Sequence, residues 1–239
     1  AVKAAGKPVV VLLVTGRPMA LESVDELMDA LLVVWHPGTA GGDALADLLS
    51  GDYSPSGHLT MSFPRCDGQI PIRYNYKSTG RPLTKEMDYT QSHKAKKNYQ
   101  TCYLFTPNSP LYPFGYGLSY ADFSYGKAKL SSKSIKAGES VTVTVDLKNN
   151  SNVASDEVVQ IYVKRLGDAD APVKALKGFQ RVSMKAGETK TVSVELPAAS
   201  FEYYDSEADD LVVKPGKYQI LYGSSSSDDD LQALPLTVK

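Results

Sequence analysis

Residues 141–148 read VTVTVDLK. Val141, Val143, Val145 and Leu147 alternate with Thr142, Thr144, Asp146 and Lys148. That is the period of a strand with one apolar and one polar face. The same alternation recurs downstream. Val159, Ile161 and Val163 alternate with Gln160, Tyr162 and Lys164; Val192, Val194 and Leu196 follow, then Tyr218, Ile220 and Tyr222. Turn signals separate the runs: Lys136-Ala-Gly-Glu139, Asn149-Asn-Ser-Asn152, Lys185-Ala-Gly-Glu188 and Lys214-Pro-Gly-Lys217. Ser224–Asp230 reads as a polar loop tip before a last strand, Leu234–Val238. About seven short strands with such turns predict a β-sandwich of immunoglobulin or fibronectin type. No Cys…Trp…Cys pattern is present, which favours the fibronectin-like version.

Upstream of Phe123 the pattern is different. Pro8-Val-Val-Val-Leu-Leu-Val-Thr15 is a continuous apolar run, as expected for a parallel strand buried on both faces. It ends in Gly16-Arg17-Pro18. Val24–Met28 is a short helical stretch, and Ala30-Leu-Leu-Val-Val-Trp35 reads as a second buried strand ending in His36-Pro37-Gly38. Asp43–Leu49 then sets Ala44, Leu45, Leu48 and Leu49 on one helical face. The order β–α–β–α indicates an α/β layer, and open α/β sheets bind ligands in the loops at the carboxyl ends of their strands. Those loops are 15–19 and 35–42. The fold class is therefore α/β followed by all-β. The predicted domains are 1–64, an α/β piece; 65–122, a long connector with little periodicity; and 123–239, the β-sandwich.

Composition excludes several classes. Hydrophobic residues make up 42%, enough for a substantial core, and 26 basic residues against 27 acidic ones leave a net charge of −1. No nucleic-acid partner is expected on such a balance. No apolar run approaches the roughly 20 residues that cross a bilayer, so no membrane is expected either. The opening AVKAAGKPVVVLL has no initiator Met or signal peptide and reads as the middle of a domain, so an N-terminal part is expected upstream. Cys66 and Cys102 lack CxxC spacing and read as free thiols. His36, His58 and His93 are scattered and predict no metal site; no cofactor motif is present either.

The stretch WHPGTAGGDALADLLSGDYSPSG, residues 35–57, is glycine-rich. It contains neither GxGxxG nor a Gly-Lys-Ser/Thr, so a dinucleotide or phosphate role is not indicated. A tight strand-to-helix turn and a sugar loop lined by Trp35 both fit. Arg17 reads either as a substrate clamp or as a loop arginine paired with a carboxylate. Tyr112, Phe114, Tyr116 and Tyr120 either bury a domain junction or stack on sugar faces. Lys94-Ala-Lys-Lys97 reads as a solvated loop. No GxSxG, HExxH or spaced carboxylate pair marks a catalytic couple.

Several longer words, taken in order, carry a resemblance. They are Gly6-Lys-Pro-Val-Val-Val-Leu-Leu-Val-Thr-Gly-Arg-Pro18, Trp35-His-Pro-Gly38, Gly41-Gly-Asp-Ala-Leu-Ala-Asp47 and Gly51-Asp-Tyr-Ser-Pro-Ser-Gly57. Ser62-Phe-Pro64, Gly68-Gln-Ile-Pro71, Thr79-Gly-Arg-Pro82, Tyr112-Pro-Phe-Gly-Tyr-Gly-Leu-Ser-Tyr120 and Leu176-Lys-Gly-Phe179 continue the series. Over residues 6 to about 223 the chain resembles glycoside hydrolase family 3, nearest the periplasmic β-glucosidases of Gram-negative bacteria. The resemblance implies the C-terminal half of the family's second, α/β sandwich domain followed by its fibronectin type III-like domain. It implies retaining hydrolysis of terminal β-D-glucosyl residues by two carboxylates, both upstream of Ala1, so that no catalytic residue lies in this chain. Without its upstream half the chain is expected to be inactive. The implied partners are a β-glucoside or oligosaccharide substrate and the missing N-terminal barrel domain; a homodimer is compatible, and the implied location is periplasmic or secreted. Arg17, Trp35 and His36 are the candidate substrate-binding residues. Other readings are a β-xylosidase, an N-acetylglucosaminidase, or a non-catalytic carbohydrate-binding or interaction module. The chain departs from the family at His58, where Lys or Arg is usual, at Thr60, often Pro, and over 84–106, which matches poorly and leaves substrate preference open.

Overall fold

The structure, a computed structural model, describes residues 2–78, 80–82, 101–103 and 105–239. His93 and Lys94–Lys97 lie outside the described residues, as does most of 84–106. The described residues divide into two compact units: one within 1–53, 61–72 and 81–113, the other within 54–60, 73–80 and 114–239.

In the first unit β1 (Val10–Leu13) pairs in parallel with β2 (Ala30–Val33), from Val10 opposite Ala30 to Leu13 opposite Val33. Between them lies α1 (Glu22–Asp25), and after β2 comes α2 (Gly41–Ser50). The order β–α–β–α is the one the hydrophobic runs predict. Burial differs from the expectation. Val10, Leu12 and Val14 are 48%, 39% and 60% exposed. A parallel strand is covered on both faces only when further strands and helices flank it. Among the described residues this sheet has two strands.

The glycines of 35–57 act as turn residues. Gly38 has φ +75° and Gly51, at the end of α2, has φ +84°, the left-handed region where glycine carries no Cβ penalty. Gly41 is needed for a different reason: a Cβ there would lie 2.7 Å from the Pro37 ring.

The second unit is a two-sheet sandwich. One sheet runs β5 (Ser134–Ile135), β13 (Leu231–Val238), β12 (Gly216–Gly223), β7 (Ser155–Arg165), β8 (Ala175–Met184). The other centres on β6 (Val141–Asn149), with β9 (Thr189–Leu196) along one edge and β3 (Phe123–Tyr125) and β4 (Lys129–Leu130) along the other. A short hairpin, β10 (Tyr203–Asp205) and β11 (Asp210–Val212), completes it. The predicted apolar positions form the core: Val141, Val143, Val145 and Leu147 are at most 2% exposed, and Val159, Ile161, Leu196 and Ile220 are fully buried.

On β7 the prediction of a polar outer face fails. Gln160 and Tyr162 are as buried as Val159 and Ile161. Their side of the strand is covered by Tyr74, whose ring meets Tyr162 edge-on at 5.9 Å and stacks on Phe114 at 4.1 Å. Gln160 Nε2 donates to the carbonyls of Gly115 and Ser224, and the Tyr162 hydroxyl donates to Gln160 Oε1 at 2.6 Å. A buried carboxamide satisfied in this way carries no desolvation penalty.

Candidate functional site

The two strands of the first unit end side by side, so the loops after them share one edge. Thr15 closes the first loop on itself: its Oγ1 donates to the Arg17 carbonyl at 2.8 Å and accepts from the Arg17 N–H at 3.2 Å. The turn leaves the Arg17 side chain exposed, and no ion pair joins it to a carboxylate among the described residues. The loop-arginine reading of Arg17 thus finds no carboxylate partner there.

The second loop begins at Trp35, whose φ of +50° places a bulky residue in the left-handed region. Such a conformation costs about 1–3 kcal/mol and persists only where the surroundings hold it. Its indole packs tilted at 57° on Phe63, 6.0 Å between ring centroids. Phe63 is fully buried, and Tyr112 meets it edge-on at 6.2 Å. The two backbones bridge as well, with Phe63 N–H donating to the Tyr112 carbonyl at 2.8 Å. The Tyr112 hydroxyl in turn donates to Asp25 of α1. His36 follows on the exposed side, and a Cβ on Gly16 would lie 3.0 Å from its Nε2. The Gly16 backbone and the His36 ring are therefore near neighbours.

The structure so brings Arg17, Trp35 and His36 to a single sheet edge, as the strand-end argument requires. The aromatic run 112–120 is not one cluster: Tyr112 pairs with Phe63, Phe114 with Tyr74, and Tyr120 is half exposed.

Behind this edge the segment 61–72 is pinned by polar contacts. Gln69, 1% exposed, accepts the Arg65 N–H at 2.7 Å and donates to the Pro107 carbonyl at 2.7 Å. Arg65 reaches Glu22 of α1 at 3.0 Å and the Ser109 carbonyl at 3.2 Å. Phe63 and Gln69 are the supports that periodicity misses. Both sit in the aperiodic stretch, and only the words Ser62-Phe-Pro64 and Gly68-Gln-Ile-Pro71 mark them.

Chemically the edge offers a half-buried indole, an exposed guanidinium and an imidazole. That set suits a polyhydroxylated ligand with one apolar C–H face: ring against ring face, with donors for hydroxyls. Among the described residues no group of three His, Cys, Asp or Glu could hold a metal ion. Cys66 and Cys102 are free and partly buried. No helix is long and apolar enough to cross a membrane among the described residues.

Residues 1–120 match the family described as the glycosyl hydrolase family 3 C-terminal domain, and residues 157–226 match the fibronectin type III-like domain. A β-xylosidase of Formosa agariphila is 42% identical over 100% of this chain, which spans 31% of that protein. The periplasmic β-glucosidase of Salmonella typhimurium is 41% identical over 95% of the chain, which spans 29% of it. Among solved structures, the β-glucosidase of Listeria innocua in complex with isofagomine superposes with a TM-score of 0.87 at 42% identity, covering 99% of this chain and 32% of that one. The chain thus spans about three tenths of the length of these relatives.

Proposed function

We infer the function from the family: this chain belongs to glycoside hydrolase family 3, and in the complete protein it forms the C-terminal part of an enzyme that releases terminal β-D-glucosyl residues. The observation that supports this most is the likeness to the Listeria innocua β-glucosidase along essentially the whole chain. The reaction is retaining, with a nucleophile and an acid/base carboxylate about 5–5.5 Å apart, and both come from outside residues 1–239. Within this chain, Arg17, Trp35 and His36 form part of the active-site wall, supported by their common strand-end edge. The remainder supplies packing. The division into 1–64, 65–122 and 123–239 is part of the same proposal; its support is a continuous apolar core running from Ala128 to Val238. A location in the periplasm or outside the cell accords with the Salmonella relative's name. A net charge of −1 favours a sugar substrate over a nucleic-acid partner.

β-Xyloside hydrolysis is the second reading. It has a specific support: the Formosa agariphila β-xylosidase matches at 42%, against 41% for the Salmonella β-glucosidase. The test is an assay of the complete enzyme on aryl β-glucoside and aryl β-xyloside, with residues 1–239 assayed alone in parallel. The proposal expects glucoside turnover by the complete enzyme and none by the fragment. A higher kcat/KM for the xyloside selects the second reading. Turnover by the fragment, abolished by replacing one of its carboxylates, overturns the placement of the catalytic pair.

A further inference from the structure

Within the second unit, residues 54–60 are seated on the sandwich by several hydrogen bonds. The Ser155 hydroxyl donates to Ser54 Oγ at 2.9 Å, which also accepts the Tyr120 N–H at 3.0 Å. Arg181 donates to Ser56 Oγ at 2.8 Å, and Leu59 exchanges backbone bonds with Tyr116 and Gly115. In the middle of this seat lies His58. Its side chain is 10% exposed, and neither ring nitrogen has a hydrogen-bond partner. The ring is confined: a Cβ on Gly117 would sit 3.2 Å from His58 Cγ and 2.3 Å from the Gly57 carbonyl oxygen.

The group facing it is Glu157 of β7, 8% exposed, whose Oε1 lies 3.9 Å from His58 Nε2. That oxygen accepts the Tyr125 hydroxyl at 2.7 Å. A bare carboxylate in this position would lack a cation, and a charged imidazole would lack an acceptor in hydrogen-bond reach. Neither charge alone is tolerable in such burial.

We propose that His58 and Glu157 hold one proton between them and remain jointly neutral where residues 54–60 sit on the sandwich. This does not depend on the enzymatic reading. The other ionisable groups around the pair are Tyr125 of β3, Arg181 of β8 with its partner Asp156 at 2.6 Å, Tyr162 of β7, and Asp230 ahead of β13. Burial lifts the Glu157 carboxyl to about 7 against the opposing bond from Tyr125. Burial, with the Arg181 charge, depresses His58, while the nearby Ser56 backbone favours the charged ring without reaching hydrogen-bond geometry.

The two groups respond to pH in opposite senses. Glu157, raised on folding, contributes stability that is complete below its unfolded value of about 4.5 and is lost as pH rises through about 7. His58, depressed on folding, contributes stability present above its unfolded value of about 6.5 and lost as pH falls through its folded value. Paired, the folded and unfolded chains each carry about one proton on these two groups between pH ~4.5 and ~6.5, so the two slopes cancel.

The experiment is denaturant unfolding of residues 1–239 from pH 4.5 to 8 for wild type, His58→Gln, Glu157→Gln and the double variant. Relative to wild type, His58→Gln is expected to lose stability as pH rises toward 6.5. Glu157→Gln is expected to gain it as pH rises from 4.5 to 7. Each difference approaches tenfold in the folding constant per pH unit, and the double variant restores a profile parallel to wild type. Imidazole NMR of the wild type is the second readout and stands if a variant does not fold: His58 should stay neutral well below pH 6.5. Parallel profiles in all four proteins, or an imidazole that titrates near 6.5 like a free histidine, overturn the proposal.

Discussion

The Gln160 carboxamide is clasped against the Gly115 backbone: its Nε2 donates to the Gly115 carbonyl at 3.0 Å, and a Cβ on Gly115 would fall 2.1 Å from its Oε1. Gly115 also has φ +79°. Gly115→Ala therefore meets both backbone strain and a collision with a buried, fully bonded side chain. A loss on the order of 3 kcal/mol is expected from the two together, read as a fall in the urea midpoint. Gly138→Ala, at φ +92° with no atom within 4 Å of the added Cβ, carries the strain alone and should cost less. Equal losses would show that the Gln160 contact contributes nothing.

Gly16→Ala tests the strand-end edge. The new methyl would lie 3.0 Å from His36 Nε2, the far end of an exposed side chain that can swing away. Stability should change by no more than about 0.5 kcal/mol. In the complete enzyme KM for an aryl β-glucoside should rise severalfold, because the displaced imidazole stands beside Arg17 and Trp35. An unchanged KM at normal stability removes this edge from the substrate wall.

The acid limb of stability has a local source on the loop after β7. Asp170 accepts the Ser206 hydroxyl at 2.5 Å and backbone N–H at 3.0 Å, and pairs with Lys77 at 3.1 Å. These hold its carboxyl down to about 2, Ser206 contributing more than Lys77. A depressed carboxyl contributes stability that is present above its unfolded value, about 3.8, and is lost as pH falls through about 2. Asp170→Asn should flatten the pH 4 to 2 portion of the unfolding profile. Ser206→Ala should flatten it more than Lys77→Met does. The reverse order would mean that the ion pair, not the hydroxyl, sets this carboxyl.

Much of the sandwich is legible in sequence because one face of each strand is apolar at period 2. Val141 to Leu147 and Val192 to Leu196 read correctly for that reason. β7 misleads because its second face is covered by residues distant in sequence. Tyr74 and Phe114 lie in the aperiodic stretch, and nothing local to Gln160 or Tyr162 announces them. The same holds at the candidate site. The placement of Arg17, Trp35 and His36 at strand ends follows from the β–α–β order. The left-handed backbone at Trp35 and its Phe63 support do not, because a positive φ at tryptophan contradicts local preference and is imposed by packing. The apolar run Pro8–Thr15 suggests a strand covered on both faces, yet periodicity cannot say how many neighbours the sheet contains.

The covering of β7 also bears on where the sandwich begins. The proposed boundary makes 123–239 a domain, and its core residues run from Ala128 to Val238. Excised, this piece should fold, since that core is complete without upstream residues. It would lose the segments that cover Gln160 and Tyr162: Tyr74 with its 4.1 Å stack on Phe114, the Gly115 carbonyl, and the Tyr74 hydroxyl that accepts the Leu176 N–H at 3.2 Å. Two buried polar groups would then face water and an aromatic wall would be gone. Tyr74→Ala in the intact chain samples one part of this and should cost about 2–3 kcal/mol. The excised sandwich should be less stable than the same sandwich within 1–239 by more than that single substitution. Urea unfolding followed by amide exchange on β7 measures both. If 123–239 unfolds at the same midpoint as in the intact chain, the cover over β7 is dispensable. If it does not fold, the boundary belongs upstream, where residues 54–60 and 73–80 join the unit.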